Sequence, residues 1–252
     1  MEYLEWIGLS PQISIYAILC IFVAAVIRGY SGFGFSALTV SSLSLVLPPI
    51  EIIPLVFLLE IAASISMLPM VWKEVDWKIL RWLVLGNLIG TPFGIFLLIN
   101  INQEIIRFTI STLVFLSCIL LLKNFKFNSN LGKSWTLGAG SLSGLVNGST
   151  GVGVLPIAIF FLSASGGASL TRASLVAYLF FSDIYASLIS GTQHIISLEL
   201  FWRTIIFLIP MSIGIYIGHR KFVKTTQKSF RKFVLILLVI LSLAGILRSI
   251  IF

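Results

Sequence analysis

Two glycine-rich runs with the same spacing interrupt apolar stretches of the chain. The first is RGYSGFG over residues 28–34 and the second is NGSTGVG over residues 147–153, so both contain the pattern G-x-x-G-x-G. A helix interrupted in lipid leaves backbone N–H and C=O groups without partners, so it is tolerated only where protein buries it or it lines a wet cavity. The helix that restarts directs free N–H groups and a partial positive charge toward the interruption, which favours an anion. The two runs therefore predict a binding site for a small anion.

The candidate substrate-binding residues are the glycines of these runs, their polar neighbours and one arginine near the start of a later apolar segment. They are Arg28, Gly29, Ser31, Gly32, Gly34, Asn147, Gly148, Ser149, Thr150, Gly151, Gly153 and Arg172. A guanidinium can clamp an oxyanion through two parallel hydrogen bonds. Two alternatives stay open: the glycines serve only close helix packing, and Arg172 extends to the lipid headgroups.

Two carboxylates also lie inside apolar segments, Glu60 and Asp183. A carboxylate within a membrane is costly, usually faces the interior of the helix bundle and often belongs to a proton or ion pathway. We therefore predict that Glu60 and Asp183 couple transport to protons. The structural alternative is that either carboxylate neutralises Arg28 or Arg172.

The sequence does not indicate an enzyme. It contains no Walker phosphate loop, no G-x-S-x-G nucleophile elbow, no H-E-x-x-H helix and no C-x-x-C pair. ATP hydrolysis within this chain is thereby excluded, and no cofactor is predicted. Cys20, Cys118, His194 and His219 are not at metal-ligand spacing, so no metal site is predicted either.

The composition predicts a protein that is embedded in the lipid bilayer. Of the 252 residues 58% are hydrophobic and 10% are charged, and the mean hydropathy is +1.08, whereas soluble domains carry about 25% charged residues. The formal net charge is +8, but the basic residues concentrate in short loops between apolar runs. In that position they set membrane orientation, so a nucleic-acid partner is not expected.

Hydropathy divides the chain into two halves with five apolar segments each, which predicts an all-α polytopic membrane protein. The first membrane repeat covers residues 1–128, with a glycine-broken helical pair at 11–47 and helices at 50–71, 79–99 and 105–122. The second covers residues 129–252, with a broken pair at 135–163 and helices at 172–192, 200–218 and 233–252. Short, glycine-interrupted segments at matching positions in two halves indicate a transporter's binding site.

The register of the two halves supports a duplication. An offset of 119 residues places the glycines of the first run on those of the second, and an offset of 123 places EIAAS (60–64) on DIYAS (183–187). An offset of 124 places Gly90 and Gly94 on Gly214 and Gly218. Together with Gly86, these last glycines form a small-residue stripe that is explained by close helix packing.

The loop charges predict that the two repeats have inverted topology. Three connections are basic, near residues 73–81, 123–133 and 220–232, whereas residues 193–199 contain no Lys or Arg. The positive-inside rule places the three basic connections in the cytoplasm and both termini outside. Each half then crosses the membrane an odd number of times, whether its broken pair spans the bilayer or turns back.

The two runs resemble those of the TauE/SafE family of bacterial sulfite and organosulfonate exporters. The resemblance rests on GYSGFG at 29–34, followed by Ala37-Leu38, and on GSTGVG at 148–153. Segment number, chain length and the basic loops also agree, so it covers nearly the whole chain. It implies two homologous membrane halves, a multi-pass location in the bacterial cytoplasmic membrane, and a sulfite-like or sulfonate substrate.

These observations together predict a secondary transporter that moves a small anion by alternating access with proton coupling, and the resemblance implies that it is an exporter. The predicted partners are the anion, protons and the lipid bilayer, and assembly into an oligomer is compatible with the apolar surfaces. An anion channel without coupling and a membrane accessory subunit are the alternative functions.

Overall fold

The computed structural model describes residues 8–123, 132–163, 168–222, 236 and 238–248. All regular structure in these residues is helical, which confirms the predicted all-α fold. The helices are α1 (Pro11–Ser31), α2 (Phe35–Leu43), α3 (Pro49–Val71), α4 (Trp77–Asn100), α5 (Gln103–Leu122), α6 (Lys133–Thr150), α7 (Val154–Ser163), α8 (Ala168–Thr192), α9 (Leu198–Phe222) and α10 (Leu238–Arg248). The predicted segment 233–252 lies partly outside the described residues.

Six of these helices are long and apolar enough to cross a membrane: α1, α3, α4, α5, α8 and α9. About 20 apolar residues are needed to span the hydrocarbon core as a helix. The chain is therefore a polytopic membrane protein. The short helices α2 and α7 each follow one of the glycine-rich runs.

The breaks are shorter than the sequence predicts. Helix α1 continues to Ser31 and helix α6 to Thr150, whereas the glycine-rich runs that predict the breaks already begin at residues 28 and 147. The first half of each run is helical because its residues need no unusual backbone angle. The backbone becomes left-handed at Gly32, Gly34 and Gly151, with φ of +80°, +94° and +69°. Glycine adopts this conformation without the steric cost of a Cβ.

After the first break the chain turns back along α1. The Tyr16 hydroxyl on α1 donates a hydrogen bond of 3.0 Å to the carbonyl oxygen of Ser42, near the end of α2. Gly34, at the start of α2, lies beside Ile27. All nine residues of α2 are buried. The first broken pair is thus a hairpin of one long and one short helix, a point that the sequence leaves open.

Ion pairs and caps gather several helix ends at one end of the bundle. Arg203 at the start of α9 lies 2.6 Å from Glu51 at the start of α3. Arg107 at the start of α5 and Arg248 at the end of α10 both donate to the carbonyl oxygen of Ser44. This end includes the 193–199 connection, which is predicted to lie outside the cell.

The opposite end joins the α3–α4 connection to the start of α8. The Ser169 hydroxyl donates to the Glu74 carboxylate, and the Asp76 backbone N–H donates to the Ser174 hydroxyl over 3.0 Å. Lys73 belongs to the same connection. This is the end that the positive-inside rule assigns to the cytoplasm.

The closest helix pairs join the two halves of the chain. Helix α4 packs along α6, and α1 packs along α9, while α3 packs against α8. Glycines allow the backbones to approach: a Cβ at Gly144 of α6 would lie 2.6 Å from the Asn87 carbonyl oxygen of α4. A Cβ at Gly214 of α9 would lie 2.7 Å from the Phe22 carbonyl oxygen of α1. Such small-residue contacts are the usual basis of close packing between membrane helices.

We expect Gly144→Ala to lower the stability of the protein, because the added methyl group would force α4 and α6 apart. Overpacking of this kind costs about 1–3 kcal/mol. Thermal unfolding in detergent measures the change. The matched control is Gly138→Ala on the same helix, where a Cβ would meet no described atom within 4 Å. Equal melting temperatures for the two variants would contradict the packing role.

Candidate functional site

The side chain of Arg28 closes the first break from inside the bundle. Its Nη1 donates a hydrogen bond of 2.6 Å to the Gly32 carbonyl oxygen, and the Gly32 N–H donates to the Arg28 carbonyl oxygen over 2.8 Å. Arg28 is completely buried. The guanidinium therefore satisfies a carbonyl group that the end of α1 would otherwise leave without a partner. An unpaired carbonyl group is costly in an apolar bundle.

Glu60 on α3 forms a buried ion pair with this arginine. Its Oε2 lies 3.0 Å from Nη2 of Arg28, and the same nitrogen donates to the Ser64 hydroxyl over 3.0 Å. The Ser36 N–H, in the first turn of α2, donates to Oε1 of Glu60 over 3.3 Å. The helix N-terminus that we predicted to favour an anion is thus already next to a carboxylate of the chain itself.

Asn147 has the corresponding position at the second break. Its Nδ2 donates hydrogen bonds to Oδ1 of Asp183 over 2.8 Å and to the Ser182 hydroxyl over 3.1 Å. Its Oδ1 accepts a hydrogen bond of 3.3 Å from the Gly153 N–H. The side-chain amide therefore joins the break to α8, as the guanidinium of Arg28 joins the first break to α3.

The two arrangements correspond in register as well as in geometry. The offset of 119 that aligns the glycine runs places Arg28 on Asn147, and the offset of 123 places Glu60 on Asp183. Asp183 is also within electrostatic range of Glu60 and Arg28. The structure thus brings both predicted carboxylates and one predicted arginine together in the interior of the bundle.

A hydrogen-bonded network that the sequence analysis missed surrounds the second break. Asn87 of α4 donates to the Tyr178 and Ser182 hydroxyls of α8, each over 2.9 Å, and Tyr178 donates to the Ser143 hydroxyl of α6 over 2.8 Å. Ser143 in turn donates to the Gly153 carbonyl oxygen over 2.5 Å. The available signal was an asparagine within an apolar segment, because buried amides in membrane helices usually bond to a neighbouring helix.

Arg172 of α8 lies beside the first break. Its Nη2 donates to the Gly29 carbonyl oxygen over 3.2 Å. Its aliphatic stem packs so closely on Gly32 that a Cβ there would lie 2.5 Å from Cγ. Arg172 is half-buried and interacts electrostatically with Arg28. The side chain is therefore directed to the break and is within electrostatic range of a second guanidinium.

The remaining predicted residues of the first run lie partly at a helix contact and partly in the turn. Gly29 packs against the backbone of Ile215 on α9, so its surroundings are those of a helix contact. Gly32 and Gly34 form the turn itself. The side chain of Ser31 lies outside the described residues.

The second run has two hydroxyl groups that bond within their own helix. Ser149 donates to the Leu145 carbonyl oxygen over 2.8 Å, and Thr150 donates to that of Val146 over 2.6 Å. Gly148 packs against the backbone of α4 near Thr91, where a Cβ would lie 2.6 Å from the carbonyl oxygen.

The two glycines that complete the second run form its break. A Cβ at Gly151 would lie 3.2 Å from the side chain of Val40 on α2, and one at Gly153 would meet Asn147 and Ser143. The second break therefore contacts the short helix of the first broken pair.

The fold and these two buried breaks define a polytopic membrane protein whose discontinuous helices meet inside the bundle, an arrangement typical of secondary transporters. The family model named sulfite exporter TauE/SafE matches residues 17–245. The chain therefore belongs to the TauE/SafE family, as its glycine-rich runs suggest. No curated protein and no solved structure matches the chain.

We expect Arg28→Met to destabilise the protein strongly, because it leaves Glu60 buried without its counter-ion. Loss of one partner of a buried ion pair costs about 3–5 kcal/mol. Adding Glu60→Gln should recover most of the lost stability, since the amide oxygen can still accept from the Ser36 N–H. Thermal unfolding of both variants in detergent checks this, with Arg81→Met on the exposed start of α4 as the control. A double variant no more stable than Arg28→Met would contradict the ion-pair interpretation.

Proposed function

We propose that this protein is a secondary transporter that exports a small anion, such as sulfite or an organosulfonate, across the bacterial cytoplasmic membrane. The observation that carries the proposal is the convergence of two helix breaks on a buried cluster of Arg28, Glu60 and Asp183. Membership of the TauE/SafE family supports the substrate class. Irregular backbone inside a membrane protein is typical of a substrate site.

Inverted repeats and alternating access are part of this proposal. If α1 corresponds to α6 and α4 to α9, an exchange of the two halves converts the α4–α6 contact into the α9–α1 contact. Both contacts exist and both are close and glycine-rich. The α3–α8 contact converts into itself, as expected for a two-fold relation. Movement of one repeat against the other would then expose the site to each side in turn.

We propose that the anion binds between the breaks, held by Arg28, Arg172 and the backbone and polar groups of the two runs. The supporting observation is that the two guanidiniums lie within electrostatic range of each other in a poorly solvated bundle. Like charges repel strongly in such a medium, and an anion between them would relieve the repulsion. A guanidinium also matches the planar geometry of two oxyanion oxygens.

Charge balance supports coupling to protons. Arg28 and Arg172 together offset the ionised forms of Glu60 and Asp183, so an added anion leaves the site with an uncompensated negative charge. Protonation of one carboxyl would restore the balance. A divalent anion that moves with one proton carries one net negative charge, and an inside-negative potential drives that charge outward by about 2.3 kcal/mol per 100 mV.

Flux into proteoliposomes tests the function. Labelled sulfite or sulfoacetate should enter with saturable kinetics, and an imposed pH gradient should change the rate. Flux that rises without saturation and ignores the gradient would favour an anion channel. Absence of flux for both anions would favour an accessory role and contradict the proposal.

We expect Arg172→Gln to raise KM for the transported anion about tenfold or more, because a charge-assisted hydrogen bond contributes about 1.5–3 kcal/mol. The initial rate as a function of anion concentration gives KM. Arg81→Gln removes an equal charge from the exposed start of α4 and should keep the wild-type KM. The same KM in both variants would exclude Arg172 from the anion site.

A further inference from the structure

The carboxylates of Glu60 and Asp183 differ in the polar groups that contact them. Around Glu60, the guanidinium of Arg28 contacts both the carboxylate and the hydroxyl of Ser64. Around Asp183, the neutral amide of Asn147 reaches only Oδ1. Oδ2 of Asp183 and Oε2 of Glu60 are both buried without a hydrogen-bond partner in the part of the chain that the structure describes. Oε2 of Glu60, however, lies 3.0 Å from the guanidinium of Arg28, whereas Oδ2 of Asp183 has no ion pair among these residues.

We propose that Asp183 is the carboxyl that binds the coupled proton, and that Ser187 and Ser190 line its route to the end of α8. Glu60 then stays ionised as the counter-ion of Arg28. This inference rests on the proposed function, because it assigns the proton of that transport cycle to one of two candidate residues. The assignment follows from the hydrogen bonds and packing of the two carboxylates.

The polar contacts of Glu60 favour its charged form. A guanidinium lies 3.0 Å from one carboxylate oxygen, and a backbone N–H at the start of α2 donates to the other. Both contacts are with donors, and donors favour the ionised carboxylate. Protonation of Glu60 would leave Arg28 as a buried charge without its partner, which is costly.

The surroundings of Asp183 leave room for a proton. Only the Asn147 amide donates to this carboxylate among the described residues, and it donates to Oδ1. A proton on Oδ2 would leave that hydrogen bond intact, because Oδ1 still accepts. It would also remove a charge from a side chain that is 1% exposed. A buried polar atom without a partner requires an explanation in a folded protein, and reversible protonation supplies one.

The charged and titratable groups near Asp183 supply it with neither a counter-ion of its own nor a proton. Among the residues that the structure describes, the charged side chains that interact electrostatically with Asp183 are Glu60 of α3 and Arg28 of α1, which pair with each other. Tyr178, one turn earlier on α8, donates its proton to Ser143. Helices α4 and α6 present the neutral amides of Asn87 and Asn147. Helix α7, VLPIAIFFLS, contains no charged residue.

Two further hydroxyl groups continue the same face of α8. Ser187 and Ser190 follow Asp183 by four and seven residues, the spacing of one helix face. Their Oγ atoms are buried and have no hydrogen-bond partner in the described residues. Helix α8 ends at Thr192, which is exposed. At 1.5 Å per residue, roughly 14 Å separates Asp183 from that end.

The positions of α3 that correspond to Ser187 and Ser190 do not continue such a row of free hydroxyls. The offset of 123 places Ser187 on Ser64, whose hydroxyl accepts from Arg28, and Ser190 on Met67, which is apolar. Buried hydroxyls can accept one proton while donating another, whereas a thioether cannot. The proton is therefore held on Asp183 Oδ2 while the anion is bound, and it is released through these hydroxyls to solution at the Thr192 end of α8 when the anion leaves.

Flux into proteoliposomes under a pH gradient tests the assignment. The labelled anion is sulfite or sulfoacetate, whichever the wild type transports. Asp183→Asn resembles the protonated carboxyl, so it should keep exchange of labelled anion between the two sides. It should lose at least tenfold of the accumulation that the pH gradient drives. A pH-sensitive dye inside the vesicles should report proton movement with the wild type and none with this variant.

Glu60→Gln should keep the pH dependence in whatever flux remains. A full pH response in Asp183→Asn, or a response lost in Glu60→Gln while flux persists, would overturn the proposal. If Asp183→Asn does not elute as a monodisperse protein, Asp183→Glu replaces it: a longer side chain in a changed environment should shift the pH midpoint of flux, and an unshifted midpoint would overturn the assignment.

The double variant Ser187→Ala/Ser190→Ala tests the route. It should slow pH-driven flux several-fold without a change in KM for the anion, and Ser111→Ala is the control because its buried hydroxyl bonds within α5. An unchanged rate would overturn the route. Absence of saturable wild-type flux for both anions would instead contradict the proposed function, so the two failures are distinguishable.

Discussion

The structure depends on one constraint: a helix that is broken inside an apolar bundle must have its free backbone groups satisfied by protein side chains. At the first break Arg28 meets this requirement by donating to the Gly32 carbonyl oxygen. At the second, Asn147 accepts from the Gly153 N–H. Each of these side chains also contacts a carboxylate on a neighbouring long helix. The helix breaks and the buried acids are consequently parts of the same structural units.

Close helix packing holds these units in place. Gly29, immediately after Arg28, contacts the backbone of α9, and Gly148, immediately after Asn147, contacts the backbone of α4. A side chain at either position would move the broken helix away from its neighbour. The adjacent Arg28 or Asn147 would then lose its position relative to the carboxylate. Glycines of the runs therefore serve packing and backbone turning at once, so the packing and binding interpretations of these residues are compatible.

The two helix breaks differ in the charge of the side chain that joins each of them to a carboxylate. A guanidinium and an amide can both bond to a broken helix and a carboxylate, but only the guanidinium brings a charge. One half of the buried cluster is a paired salt bridge, and the other is a carboxylate with a neutral partner. In the proposed transport cycle, the first arrangement would provide a fixed charge and the second a group that exchanges a proton.

The sequence by itself determined the helical membrane class, the two glycine-rich runs, the pair Glu60 and Asp183, and the family resemblance. These features are local in the sequence. Hydropathy indicates whether a segment lies in lipid, and glycine spacing indicates where the backbone can turn. An acidic residue within an apolar run can be recognised without knowing which helix it packs against. Even so, the sequence placed the breaks too early, because nothing local distinguishes a helical glycine such as Gly29 from a left-handed one such as Gly32.

Only the tertiary structure decided that α2 turns back along α1, that Arg28 pairs with Glu60 while Asn147 pairs with Asp183, and that Asn87, Tyr178 and Ser143 belong to the same polar interior. The physical reason is that these contacts join residues 26 to 91 positions apart. Their partners depend on which helix faces pack together, and apolar faces in lipid look alike in sequence. The residue types were visible along the chain, whereas their pairing is a property of the packed bundle.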